Sequence, residues 1–138
     1  MPEGTNAAPR RRLLADEPAP PSVYVDAAGM AWEKTKFPGI EMKMLYADPA
    51  SGISTMLFKM APGAEVPLHE HTAVEQTYVL EGSLEDEDGK ALAGQFVWRP
   101  AGSTHVARAP NGAVFLGMFL SPNHFAEGQK FFTEEAAD

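Results

Sequence analysis

The chain contains no cysteine. Disulfides, zinc ribbons, iron–sulfur clusters and thiol nucleophiles are therefore excluded. No stretch approaches the roughly 20 apolar residues that a membrane span needs. Positive charge is scarce, with 11 Lys and Arg against 19 Asp and Glu and a formal net charge of −8. A nucleic-acid binder needs clustered cations to replace phosphate counterions, so nucleic acid is not expected as a partner. The single basic run, Arg10-Arg11-Arg12, lies in a Pro- and Ala-rich stretch and reads as solvated. It is followed by Leu13-Leu14 and then Ala15-Asp16-Glu17-Pro18 instead of an apolar segment, so an export signal is not expected. A cytoplasmic location away from membranes follows as the expectation. Phosphate loops, nucleophile elbows and dinucleotide fingerprints are also missing.

What the chain does have is punctuation. It holds 12 Gly and 12 Pro in 138 residues, of which 44% are hydrophobic. That composition favours short strands joined by turns over long helices, packed around one core. Residues 1–22 carry Pro2, Pro9, Pro18, Pro20 and Pro21 without an apolar period and are expected to form a flexible arm. Residues 23–138 are expected to form a single domain. Strands are expected at Val23-Tyr24-Val25, Ile40 to Tyr46, Ile53 to Met60, Glu75 to Glu81, Gln95 to Arg99, Thr104 to Arg108 and Ala113 to Leu120, the last buried on both faces. Residues 122–135 are expected to form a short helix. The fold class that follows is all-β, a sandwich or barrel.

Three of the four histidines fall into one pattern. Gly63 is followed after five residues by His69-Glu70-His71, then Glu75 and Gly82; further on come Gly94, Pro100-Ala101-Gly102 and His105. Residues two apart on a strand share a side, so His69 and His71 can converge on one ion. Glu75 has the same parity, but a straight strand would carry it about 13 Å from His71 at ~3.3 Å per residue. Thr72-Ala73-Val74 must therefore bend the chain if Glu75 is to join them. His105 must come from a third strand, which a barrel brings alongside. Imidazole and carboxylate together suit one divalent transition metal: Fe, Mn, Ni, Cu or Zn. Four ligands leave two positions open on an octahedral ion and none on tetrahedral zinc.

These residues resemble both signature motifs of the cupin superfamily. Gly63, His69, His71, Glu75 and Gly82 match the first, and Gly94, Pro100, Gly102 and His105 the second. Ala109 stands where the second motif usually closes on Asn. Met60-Ala61-Pro62-Gly63-Ala64, Tyr78-Val79-Leu80-Glu81-Gly82 and Arg99-Pro100-Ala101-Gly102-Ser103-Thr104-His105 look most like the ChrR-type cupins. The resemblance implies a double-stranded β-helix (jelly-roll) barrel with metal ligands His69, His71, Glu75 and His105. It implies either a mononuclear dioxygenase cleaving diketones or hydroxyketones, with Fe(II) as the first choice of metal, or a metal-holding sensor of a small molecule or reactive oxygen species. A non-redox isomerase or lyase is a further alternative. A small-molecule ligand and a homodimer are expected as partners. Diketone-cleaving relatives commonly use three histidines without the glutamate, so Glu75 separates these readings.

Other residues admit plainer roles. Lys59 is expected to face solvent, Gln76 to face away from Glu75, and His124 to lie on the surface. Thr77 and Val79 share the face of Glu75, and Ala107 that of His105. Phe96 and Trp98 share a face, as do Phe115, Gly117 and Phe119; core packing is the expected role for each set. Glu85-Asp86-Glu87-Asp88 is expected to be a solvated hairpin tip, since the spacing of a calcium loop is missing.

Overall fold

Alternation of buried and exposed residues organises the strands. In Ile53–Met60 (β3), Ser54, Met56, Phe58 and Met60 face inward while Ile53 and Lys59 are exposed. This period of two matches a strand covered on one side. The structure, a computed structural model, describes residues 18–125. Besides β3 it contains Glu33–Lys34 (β1), Ile40–Asp48 (β2), Ala64–Glu70 (β4), Glu75–Glu85 (β5), Lys90–Leu92 (β6), Phe96–Arg99 (β7), Thr104–Ala109 (β8), Ala113–Phe119 (β9) and His124–Phe125 (β10). The described helical structure is one short 3₁₀ turn at Ala27–Gly29. No helix among the described residues is long and apolar enough to cross a membrane.

All strand pairs are antiparallel, and their order is β1-β2-β3-β9-β5-β8-β4-β10, with β6 and β7 also on β5. β5 joins the two halves of this curled sheet. Its first residues pair with β7 and β9, and its last with β6 and, through Glu85, with Arg108 of β8. Its register against β9 shifts between Val79 and Glu81. Gly82 follows the shift at φ +70, and a Cβ there would lie 2.0 Å from the Gly112 carbonyl oxygen. Only a glycine fits this crossing of two backbones.

The enclosed core is aromatic on one side. Phe58 stacks on Phe115 at 5.1 Å and meets Phe119 edge-on at 6.0 Å. On the other side Phe37 packs against Phe125 at 5.0 Å.

Several expectations need correction. Val23-Tyr24-Val25 forms no strand: it has no neighbour to pair with, and Val23 and Tyr24 are 83% and 92% exposed. β9 is buried on one face only, because nothing described covers the outer side of the sheet there; Val114, Leu116 and Met118 are half-buried. Phe96 and Trp98 are exposed, not core, since β7 turns Val97 and Arg99 inward instead. The helix expected over 122–135 begins instead as β10, which extends the sheet beside β4; residues 126–135 lie outside the described residues. The arm expected over 1–22 lies outside them too, except for 18–22. Lys59 is exposed above the Trp32 ring, and His124 is exposed, both as expected.

Candidate metal centre

A proline decides which face of β4 points inward. Val66 is buried, and simple alternation would next bury Leu68 and Glu70. Pro67 has no N–H to give to the ladder, and the register against β8 shifts between Val66 and His69. After this irregularity His69 is the inward residue, paired directly across the ladder with His105. His71 follows, its backbone N–H donating to Ser103 O and its carbonyl accepting from Gly102 N–H. The Pro100-Ala101-Gly102 turn thus clamps the end of β4. The chain then bends at Thr72-Ala73-Val74 and re-enters as β5 with Glu75 buried. That bend is the one the spacing of Glu75 demands.

The three imidazoles are buried, and each is fixed through Nδ1. His69 Nδ1 lies 2.7 Å from Pro67 O, His105 Nδ1 2.9 Å from Asp86 Oδ2, and His71 Nδ1 2.9 Å from Ser103 Oγ. The carbonyl and the carboxylate can only accept. Ser103 donates its own proton to Pro100 O at 2.7 Å, which leaves it accepting from His71. In the neutral form each ring therefore carries its proton on Nδ1 and a lone pair on Nε2. Burial pushes the His69 imidazolium down to about 4, assisted by neighbouring His105. Burial and the Arg99 cation also lower His105.

This arrangement has lone pairs facing one another. The Nε2 atoms of His69 and His105 are 3.0 Å apart, and the buried Nε2 of His71 has no hydrogen-bond partner. Two nitrogens held on one ion at about 2.0–2.1 Å sit about 2.8–3.4 Å apart for angles from square to tetrahedral. The three histidines offer ligand atoms all within 4.8 Å of one another. They fit a transition metal ion, which would satisfy the nitrogens that no protein donor reaches.

Glu75 stands beside this cluster and not within it; its oxygens fall outside the set whose atoms are all mutually within 4.8 Å. Oε2 lies 3.3 Å from His71 Nε2 and accepts from Asn123 Nδ2 at 3.0 Å. Oε1 accepts from Arg99 Nη1 at 3.1 Å and, more weakly, from Thr77 Oγ1 at 3.4 Å. Burial opposes its charge, but contact with His71, the Arg99 guanidinium and the Asn123 amide outweigh it and hold the carboxyl at about 2.

Three residues here escape a motif reading. Asp86 belongs to the acidic run expected to be solvated, yet it turns inward onto His105 while Glu87 and Asp88 stay exposed. Burial opposes its charge, but the His105 hydrogen bond prevails and lowers its pKa. Arg99 is the inward residue at the end of β7, 3.6 Å from Asp86 through Nε. Asn123 precedes β10, where the Thr72 hydroxyl binds Ser121 and donates to Pro122 O. A basic residue one position before Pro100 was the available signal for Arg99; for Asp86 and Asn123 there was none.

Two spaces border the cluster. Inside the barrel a cavity of about 20 Å³ is walled by Phe58, Val66, Phe115 and Phe119. Outside, a cleft of about 560 Å³ lies between β7 and the β5–β6 hairpin, and His71, His105, Arg99 and Trp98 line it.

Comparison with known proteins agrees with this architecture. The structure superposes on a candidate acetylacetone dioxygenase of Methylibium petroleiphilum PM1 with a TM-score of 0.74, 20% identity, and coverage of 86% of this chain and 90% of that one. For the acetylacetone dioxygenase of Acinetobacter johnsonii the TM-score is 0.73 at 18% identity, covering 88% and 89%. ChrR, the anti-sigma factor of Rhodobacter sphaeroides solved in complex with SigE, gives 0.58 at 23% identity, covering 67% of this chain and 50% of that one. These superpositions show a shared fold. No curated protein sequence gives a significant match. The model of the ChrR cupin-like domain matches residues 20–124, and the chain belongs to that family.

Proposed function

We propose that this protein is a mononuclear metal-dependent oxygenase acting on a small carbonyl compound such as a diketone or hydroxyketone. The observation that carries this reading is the set of three buried imidazoles whose ligand atoms converge beside an open cleft. His69, His71 and His105 hold the ion, with Fe(II) as the preferred metal. When bound, the ion supplies a Lewis-acidic centre for carbonyl oxygens and a partner for dioxygen. Asp86, Ser103 and the Pro67 carbonyl fix the ring tautomers, so the site is organised before metal or substrate arrives.

The substrate reaches this centre from outside. The interior cavity holds little more than one water, whereas the outer cleft accommodates a small organic molecule. Phe96, Val97 and Trp98 supply its apolar wall, and Arg99 a donor for a carbonyl oxygen. The fold shared with acetylacetone dioxygenases supports this substrate class. Oxygen uptake by the Fe(II)-loaded protein across a diketone and hydroxyketone panel tests the reading, with turnover of at least one member expected. No uptake with any of them overturns it.

Family membership favours a second reading, a metal-holding sensor. The matching domain is that of ChrR, an anti-sigma factor. A ligand-induced change in conformation without turnover identifies a sensor. We also assign a homodimer. Tyr78 and Leu80 leave apolar surface exposed on β5, away from the cleft lining, and a second copy would cover it. Light scattering reads the mass.

A further inference from the structure

We propose that the turn between β1 and β2 forms a second binding site, apart from the metal centre, that takes a small phosphate monoester. A cleft of about 440 Å³ opens there, and Lys34, Lys36 and Lys59 line it with a single carboxylate, Glu41. The chain as a whole carries a net charge of −8, so this local excess of cations is the work of the fold. Register accounts for part of it. Lys34 lies opposite Glu41 of β2, and Glu41 lies opposite Lys59 of β3, so the three stand in one row on one face of the sheet. Glu41 nevertheless forms an ion pair with neither. Every ion pair among the described residues engages an arginine or a histidine, and none a lysine.

Lys36 carries the argument. Its Nζ is buried and has no hydrogen-bond partner. An unpaired buried cation is costly, so the fold gains when an anion meets it. The turn that presents Lys36 is built before any ligand arrives. Thr35 Oγ1 donates to Ile40 O at 2.8 Å and accepts from the Phe37 N–H at 3.1 Å, and the Ala61 N–H donates to Gly39 O at 2.8 Å. From this anchored backbone the flexible lysine stem can carry Nζ to a ligand in the cleft. The ligand class follows from the donors. Three positive charges against one negative leave two to be neutralised, which calls for a dianion. All three cations are lysines, whose compact ammonium groups suit a phosphate approached from several directions; the planar fork that arginine offers a carboxylate is missing from the lining. Pro38 and Ala61 add apolar wall for the organic part of the ester.

The test has two readouts: calorimetric titration with phenyl phosphate, with succinate as the dicarboxylate arm, and thermal unfolding in inorganic phosphate. Saturable one-to-one binding of phenyl phosphate is expected, and Lys36→Gln should weaken it at least about tenfold. Lys34→Gln should act in the same direction. Arg108→Gln removes a charge from β8, outside the cleft, and should stay within about twofold. Phosphate also stabilises folded proteins by exclusion from their surface, so chloride at equal ionic strength and the variant Lys36→Met serve as references. Lys36→Met removes the unpaired cation and keeps an apolar stem. Without ligand it should unfold at the same temperature as the unmodified protein or higher. Phosphate should raise the unfolding temperature of the unmodified protein more than that of Lys36→Met. An equal rise in both overturns the proposal, as does phenyl phosphate that fails to bind or that Lys36→Gln still binds within about twofold, the result expected of an anion held at the metal centre. Earlier unfolding of ligand-free Lys36→Met gives Lys36 a purely structural role and overturns it too. Tighter binding of succinate than of phenyl phosphate overturns the ligand class.

Discussion

Asp86 offers a sharp test of the site, because nothing but the fold marks it. Its Oδ2 accepts from His105 Nδ1 at 2.9 Å, in a position only 11% exposed at the side chain. The carboxylate keeps the His105 proton on Nδ1 and so keeps Nε2 ready for metal. In Asp86→Ala the ring can rotate, and its proton can move to Nε2. Partners of this kind are worth about 10- to 100-fold in metal affinity, or about 1.4–2.7 kcal/mol. Asp86→Ala also removes the carboxylate facing Arg99 Nε, so its loss should lie near the upper end. Asp86→Asn retains an acceptor oxygen without the charge and should lie near the lower end. Glu87→Gln, one residue on and exposed, is the control and should match the unmodified protein. Chelator competition with Zn(II) or Co(II) reads all three. If Asp86→Ala binds metal within twofold of the unmodified protein, His105 does not depend on this partner and the tautomer argument is wrong.

His71→Ala removes one of three converging donors and should abolish stoichiometric metal binding; unchanged metal content by elemental analysis refutes the ligand assignment. Gly82→Ala forces a side chain to φ +70 and to 2.0 Å from a backbone oxygen. It should cost at least about 3 kcal/mol in urea unfolding, and a loss below 1 kcal/mol contradicts the close crossing. The metal-free protein should lose stability in acid. His69 has its pKa lowered from 6.5 to about 4, so the unfolded chain binds more protons between those values. Stability is then full above pH 6.5 and falls by on the order of 3 kcal/mol as pH drops to 4. Glu75, lowered to about 2, extends the loss below pH 4.5. Unfolding free energies flat from pH 7 to 4 refute the burial of a neutral His69.

How much of this was legible in the sequence depends on how far apart the deciding residues lie. Turn residues and period-two runs are local, so β2, β3, β5, β8 and β9 could be located from them. The His-x-His parity is local as well. Which parity faces inward is not, and two strands show it. In β4 the phase is set by the irregularity at Pro67, and in β7 an edge position leaves Phe96 and Trp98 outside with Arg99 inside. Asp86 and Asn123 were hidden for a related reason. An acidic loop and an Asn next to a proline resemble solvated turns until the barrel closes over His105 and Glu75.

The direct pairing of His69 with His105 carries a consequence for folding. The two residues are 36 apart in sequence yet sit opposite each other on neighbouring strands. An ion gripping both rings ties β4 to β8 in one register, as a cross-link would in a chain that has no thiols to make one. Unlike a covalent bridge, this tie strengthens with supply: free metal at a hundred times its dissociation constant adds about 2.7 kcal/mol to the folded state. With an ion held there, the stability of the barrel would be coupled to metal availability, and a shortage of the ion would weaken the seam that His69 and His105 share.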